Sequence, residues 1–324
     1  MKSKLILPAL ALALALLACN LQANPTSTPP ISNTDTPIPP IAVTDTPVPT
    51  NTLVITDTNT PVAPTAASGD LTLDMLRNAT YTTPYFLRTV KLVNGLYSEG
   101  SGATFYSVQM LDVYAYGDLN GDGKVDAVVI LAENQGGSGV FESVVAVLDQ
   151  GGTPHQAGQA QLGDRVLINS VDISSGVIHL DMVVQGPNDP MCCPSVPQKQ
   201  NYWLIGNRLW LMRLTSTIGG TEHLINVDSP AIWSTVSNPF TVSGSVTVLP
   251  FENTLASHIY MIDGTKVNDS SLTVTPSSGT AGTFSQDFNL SSAGITDWVI
   301  LQFVDVSAAN GSTIALGSVI LKAH

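Results

Sequence analysis

The sequence predicts a mainly β protein: an N-terminal α+β domain with a short helix on an antiparallel-rich sheet, then a C-terminal β-sandwich. Charged residues make up 11% of the 324 and hydrophobic ones 44%, with 26 Gly and 21 Pro, a balance that suits β-rich exported chains better than helical bundles. Short apolar runs recur from Phe105 to Leu321 with Gly, Pro, Asn and Asp between them, which is strand-and-turn patterning. A helix signal of some strength occurs at Asp70-Leu71-Thr72 followed by Leu73, Leu76 and Ala79. The excess of 25 Asp plus Glu over 12 Lys plus Arg, a net charge of −13, excludes nucleic-acid binding, because such a surface repels phosphate.

Residues 1–18 read as an export signal, with Lys2 and Lys4 ahead of an apolar run from Leu5 to Leu17. That run is shorter than the roughly 20 residues a membrane-spanning helix needs. Its end, Leu16-Leu17-Ala18-Cys19, resembles the lipobox of bacterial lipoproteins. The resemblance implies cleavage before Cys19, diacylglycerol on its thiol and a lipid-anchored place in the cell envelope, outside the cytoplasm. Two or three acyl chains anchor stably where a single chain is marginal. Loss of Lys2 and Lys4 takes the net charge from −13 to −15, so the hold on a membrane must come from the lipid.

Residues 19–68 are rich in Thr, Pro, Ser and Asn, and Thr34-Asp35-Thr36-Pro37 recurs as Thr44-Asp45-Thr46-Pro47. Such a stretch buries too little apolar surface to offset its ordering entropy, so it reads as a disordered stalk. At about 3.1 Å per residue the roughly 45 residues from Asn24 to Ser68 would reach on the order of 140 Å.

Residues 69–215 carry the capped helix and then strand-like runs: 105–116, 127–131, 141–148, 166–173, 177–184, 202–205 and 209–212. Between Leu214 and His223 the sequence turns to Thr, Ser, Ile and Gly-Gly, a composition shift that predicts a boundary. Residues 222–324 then offer seven short strands, at 225–227, 240–248, 258–262, 271–274, 282–290, 298–306 and 314–321. Seven strands in about 100 residues without a helix signal argue for a Greek-key sandwich of immunoglobulin type. The segments Ile225-Asn226-Val227-Asp228-Ser229-Pro230 and Val236-Ser237-Asn238-Pro239-Phe240, with Gly282-Thr283-Phe284 and Val319-Ile320-Leu321 later, resemble the Gmad2 family, an immunoglobulin-like domain found beside germination proteins. That resemblance implies an accessory or adhesion module without catalytic residues.

Asp118-Leu119-Asn120-Gly121-Asp122-Gly123-Lys124-Val125-Asp126 is the local motif with metal chemistry. Calcium takes six to eight oxygens, and the side chains of Asp118, Asn120, Asp122 and Asp126 with the Lys124 carbonyl would supply them. The twelfth position of an EF-hand would hold a bidentate Glu, but Val129 stands there. The loop runs instead into an apolar strand and resembles the calcium loops of integrin-type FG-GAP repeats. Two readings stand: a structural calcium site, or a solvated Asp/Asn/Gly turn that needs no metal.

With Cys19 lipidated, the remaining cysteines are the neighbours Cys192 and Cys193. An oxidising compartment disfavours free thiols, while adjacent Cα atoms about 3.8 Å apart lie below the usual disulfide span. A vicinal bridge, an intermolecular pairing and two reduced thiols all remain open. The Cys-Cys-Pro-Ser loop, with Gly117 to Gly123 and Gly136-Gly137-Ser138-Gly139-Val140-Phe141 before it, resembles the LppP/LprE type of bacterial lipoprotein domain over about residues 105–206. The implication is an architecture and an envelope location, not a reaction.

Catalytic residues are not expected. The five histidines are dispersed, none in an H-E-x-x-H spacing, and no G-x-S-x-G elbow occurs. A hydrolase would need Asp118, Asp122, Glu133 and Glu142, the densest acidic group, to converge. Trp203, Trp210, Trp233 and Trp298 lie in strand patterns and read as core rather than as a sugar platform. The sequence points to a lipid-anchored surface protein that binds cell-wall polymer, glycan or a protein partner. The alternative is an accessory or sensor subunit of an envelope enzyme or germination-type system.

Overall fold

Thr72 starts the α-helix α1 (Leu73–Arg77): its hydroxyl accepts from the Met75 amide at 3.3 Å, and Asp74 in the first turn with Arg77 in the last matches the helix dipole. The computed structural model describes residues 70–290, 295 and 297–324. The signal at 1–18, Cys19 and the stalk at 19–68 lie outside the described residues.

A ribbon of β1 (Thr80–Thr82) and β2 (Thr89–Lys91) follows α1. Then β3 (Leu96–Glu99), β4 (Tyr106–Gly117), β5 (Asp126–Asn134), β6 (Phe141–Asp149) and β7 (Pro154–Asp164) pair in sequence order as a five-stranded antiparallel sheet. Strand β5 is buried on both faces. Ala127, Val129 and Leu131 join Leu71, Leu76 and Tyr81 of the α1 and β1 layer. Val128 and Ile130 face the other way, toward Ile178, Leu180, Met182 and Tyr202 of a second sheet. Burial on both sides is why the run is continuously apolar instead of alternating.

The second sheet begins with β8 (Leu167–Ser174), β9 (Val177–Val184), β10 (Val196–Ile205) and β11 (Arg208–Ile218), each antiparallel to its neighbour. Strand β7 is absent from the sequence reading because Pro154–Asp164 is mostly polar and lacks alternation, although Ala157 and Leu162 are buried. Strand β10 starts six residues earlier than its apolar pattern, with Gln198 and Gln200 turned inward. The Leu214–His223 stretch forms a hairpin from β11 into β12 (Thr221–His223), turning at Gly219 and Gly220 with φ of 59° and 80°. That left-handed backbone is what selects glycine there.

All seven expected C-terminal strands are present. They are β13 (Ile225–Ser229), β15 (Phe240–Val246), β16 (Thr254–Met261), β17 (Lys266–Thr273), β19 (Gly282–Phe288), β20 (Trp298–Val306) and β21 (Thr313–Ala323), with short β14 (Ser234–Val236) and β18 (Thr275–Pro276) between them. One sheet has the order β13-β15-β19-β18 and faces β17-β16-β20-β21 across a core that includes Phe240, Val242, Phe284, Leu301 and Phe303. This is an immunoglobulin-like sandwich. Strand β14 crosses over to pair with β21 in parallel.

Strand β21 also pairs with β11, through Arg213↔Gly317 and Leu214↔Leu316. One sheet therefore continues from the sandwich into the first half, in the order β17-β16-β20-β21-β11-β10-β9-β8. Beyond those two pairs, Trp210 and Met212 of β11 share a cluster with Ile300 of β20 and Ile320 of β21. All described residues fall in one compact unit.

Candidate binding site

The Asp118 loop joins β4 to β5, closed by the Gly117↔Asp126 pair. Its side chains are bonded to the loop's own amides. The Asp118 carboxylate accepts from Gly121 N at 2.7 Å and Gly123 N at 2.9 Å, Asn120 Oδ1 from Asp122 N at 3.0 Å, and Asp122 Oδ1 from Lys124 N at 2.9 Å. The Lys124 amide holds the Asp122 carboxyl below its ordinary range. Gly121 and Gly123, at φ of 77° and 81°, make the coil. Asp126 is already engaged by the fold. It is fully buried, and its two oxygens accept from Leu119 N and Asp149 N, each at 2.9 Å. It pins the loop to the end of β6, with the charges of Asp118 and Asp122 near enough to act on it. Among the described residues no three His, Cys, Asp or Glu side chains form a metal-holding group.

The four carboxylates that a hydrolase would need do not converge. Glu133 sits seven residues along β5 from Asp126, on the order of 20 Å at about 3.3 Å per residue, where it accepts from Tyr106 Oη at 3.0 Å. Glu142 pairs with Ala132 and so lies on the opposite face of the sheet from Glu133. Its Oε2 accepts from Val166 N at 3.2 Å, and burial pushes its pKa up to about 7.

Cys192 and Cys193 form a vicinal disulfide with Cα atoms 3.8 Å apart. They lie on the loop between β9 and β10, which Asp189 draws together. One Asp189 oxygen accepts from Gly186 N at 2.6 Å and Ser195 N at 2.8 Å, and the other from Ser195 Oγ at 2.8 Å. Those bonds hold the Asp189 carboxyl below its usual range.

This loop borders a cavity of about 530 Å³, within the range of small-molecule sites. Gly186, Pro187 and Met191 line it from the loop, Leu162 and Val166 from around β7, Leu211 and Leu214 from β11, and Ser312 to Ile314 from the start of β21. It thus lies where the first half meets the sandwich. Nothing in the sequence flagged its inward-facing Gln198, Gln200 and Ser216, which join Tyr202 there, because polar residues on a strand ordinarily mark the solvent face.

Asn134 Nδ2 donates to the carbonyls of Gly137 and Gly139 and ties the glycine-rich segment into a β5–β6 turn. His179 Nδ1 lies 3.1 Å from Asn201 Oδ1 on the neighbouring strand. Trp203, Trp210 and Trp298 are strand residues at the junction between the halves. Trp233 corrects the strand reading: it occupies the turn before β14, at φ 66° and 45% exposed. His223 was also passed over. Its Nδ1 lies 3.6 Å from Asp305 Oδ2, and burial raises the Asp305 pKa against the opposing pull of His223.

No curated protein matches the chain. Residues 224–312, which hold β13 to β20, match the family model described as the immunoglobulin-like domain of bacterial spore germination.

Proposed function

We propose that the chain is a lipid-anchored envelope protein whose folded part binds a partner rather than transforming a substrate. The cavity carries this reading: its wall is apolar with neutral amides and hydroxyls beside one carboxylate, Asp164, and among the described residues it holds neither a histidine nor a cysteine to pair as base and nucleophile. The Leu16-Leu17-Ala18-Cys19 segment and the Thr/Pro-rich stretch behind it supply the anchor and the reach. The partner class is cell-wall polymer, glycan or an envelope protein. In a bacterial host, labelled palmitate should enter the wild-type chain and be lost from Cys19→Ala. The secreted Cys19→Ala chain should co-sediment saturably with purified cell walls, or crosslink to a defined neighbour on intact cells. Absence of label overturns the anchor, and absence of both kinds of association overturns the binding role.

A second reading, calcium at the Asp118 loop, is favoured by the gathering of Asp118, Asn120 and Asp122 on one glycine-shaped coil. These side chains, Asp126 and the Lys124 carbonyl would hold the ion, with water completing the set. Calcium should raise the melting temperature, EDTA should reverse the rise, and Asp122→Ala should abolish it. A wild-type melt indifferent to both removes the site.

A further inference from the structure

We propose that the cavity at the junction takes an uncharged small molecule with an apolar body and a carboxamide group. This goes beyond the envelope reading and does not rest on it. On the cavity floor, alternate residues of β10 form a polar ladder: Tyr202 Oη donates to Gln200 Oε1 at 2.6 Å, Gln200 Nε2 to Gln198 Oε1 at 2.6 Å, and Gln198 Nε2 to Ser216 Oγ at 3.1 Å. All four residues are more than nine-tenths buried, at 3%, 5%, 6% and 2% exposure in that order. The ladder uses one N–H of each glutamine. A primary amide has two, so each side chain keeps a second donor at the wall of a cavity that it lines.

An acceptor stands in the same wall. Gln185 Nε2 donates to the Met191 carbonyl at 3.3 Å, while Gln185 Oε1 is buried without a hydrogen-bond partner. A buried acceptor left unmatched costs about 1–3 kcal/mol, which a ligand N–H would recover. Spare amide donors and an orphaned acceptor in one cavity complement a carboxamide, which offers a carbonyl and an N–H together.

Charge completes the selection. The one ionisable carboxylate in the lining, Asp164, is held by Arg165 through bonds of 2.5 and 3.1 Å and accepts from Val140 N at 2.9 Å. Among the described residues the lining holds no Lys, Arg or His. A carboxylate or ammonium ligand would leave water with no free counter-charge to meet it. The apolar remainder, including Leu162, Val184, Leu211 and Ile314, suits a hydrocarbon body.

The test is calorimetric titration of the soluble Cys19→Ala chain with hexanamide, hexanoate and hexylammonium. Hexanamide should bind saturably, with both ions at least tenfold weaker. Gln200→Leu should weaken hexanamide at least tenfold. Met191→Trp, which crowds the cavity from an exposed position and leaves the ladder intact, should do the same should Gln200→Leu fail to fold. Equal binding of amide and carboxylate, no saturable binding, or full binding by Met191→Trp overturns the proposal. None of these outcomes depends on lipid anchoring or on wall association, so the two readings fail separately.

Discussion

The indole of Trp203, on β10, stacks on that of Trp233 with ring centroids 5.8 Å apart and planes 20° from parallel. Trp233 in turn meets Trp298 edge-on at 5.3 Å, so a turn residue of the sandwich sits between strand residues of the two halves. A buried Trp→Ala change costs roughly 3–5 kcal/mol, and Trp233 keeps nearly half its surface in water. Trp233→Ala should therefore cost about 2 kcal/mol in urea unfolding. A double-mutant cycle with Trp203→Ala should return a coupling of about 0.5–1.5 kcal/mol, and a coupling near zero would mean that the rings are neighbours without energetic contact.

Asp126 is a clamp between two loops. Removing it strands the amides of Leu119 and Asp149 in a site with no access to water. At about 1–3 kcal/mol for each unmatched buried group, Asp126→Ala should lose about 2–4 kcal/mol in EDTA, where no metal contributes. Asp126→Asn keeps one acceptor oxygen and should lose less. Equal losses for Ala and Asn would put the effect in packing rather than in the two hydrogen bonds.

Asp189 closes the loop that carries Cys192 and Cys193. Thiol alkylation of the native protein should leave both cysteines unmodified, and both should react after reduction. In Asp189→Ala the bonds to Gly186 and Ser195 are gone, so limited proteolysis should cut between residues 186 and 195 faster than in the wild type. The global melting temperature should barely move, because Asp189 lies at the surface. Unchanged cleavage would assign the loop's order to the disulfide alone.

Most of the C-terminal strands were legible because they bury one face or both in a single core, so apolar runs and turn residues mark them directly, while β17 was read only at its end, where Leu272 is buried. Strand β7 was not. Two glycines and the five polar residues His155, Gln156, Gln159, Gln161 and Asp164 cover its hydrophobic signal, and its place is fixed by pairing with β6. The pairing of β11 with β21 was hidden for another reason: it joins residues about 100 positions apart through two backbone pairs, and backbone pairing leaves no side-chain pattern. At the sites, Asp118, Asn120 and Asp122 were readable from spacing. The burial of Asp126 was not, since a carboxylate that serves two backbone amides looks in sequence like one that waits for a metal. The cavity was least legible, because the inward glutamines break the rule that polar residues face water.

Glu142 gives the fold a pH dependence whose sign can be worked out. Burial raises its pKa from 4.5 to about 7, with the Asp164 charge adding to the rise and the amide of Val166 opposing it. Between those values the unfolded chain releases the proton while the folded chain keeps it, so stability falls as pH rises from about 4.5 to 7. At about 1.36 kcal/mol per pH unit the loss is at most about 3 kcal/mol. Glu142→Gln keeps an acceptor for Val166 N and cannot ionise. It should match the wild type near pH 4.5 and be more stable at pH 8 by about 1–3 kcal/mol, read from urea midpoints at the two pH values. Parallel wild-type and Glu142→Gln profiles would place the pH dependence on other carboxylates. A variant less stable at both pH values would mean that the protonated acid donates a hydrogen bond that Gln does not reproduce.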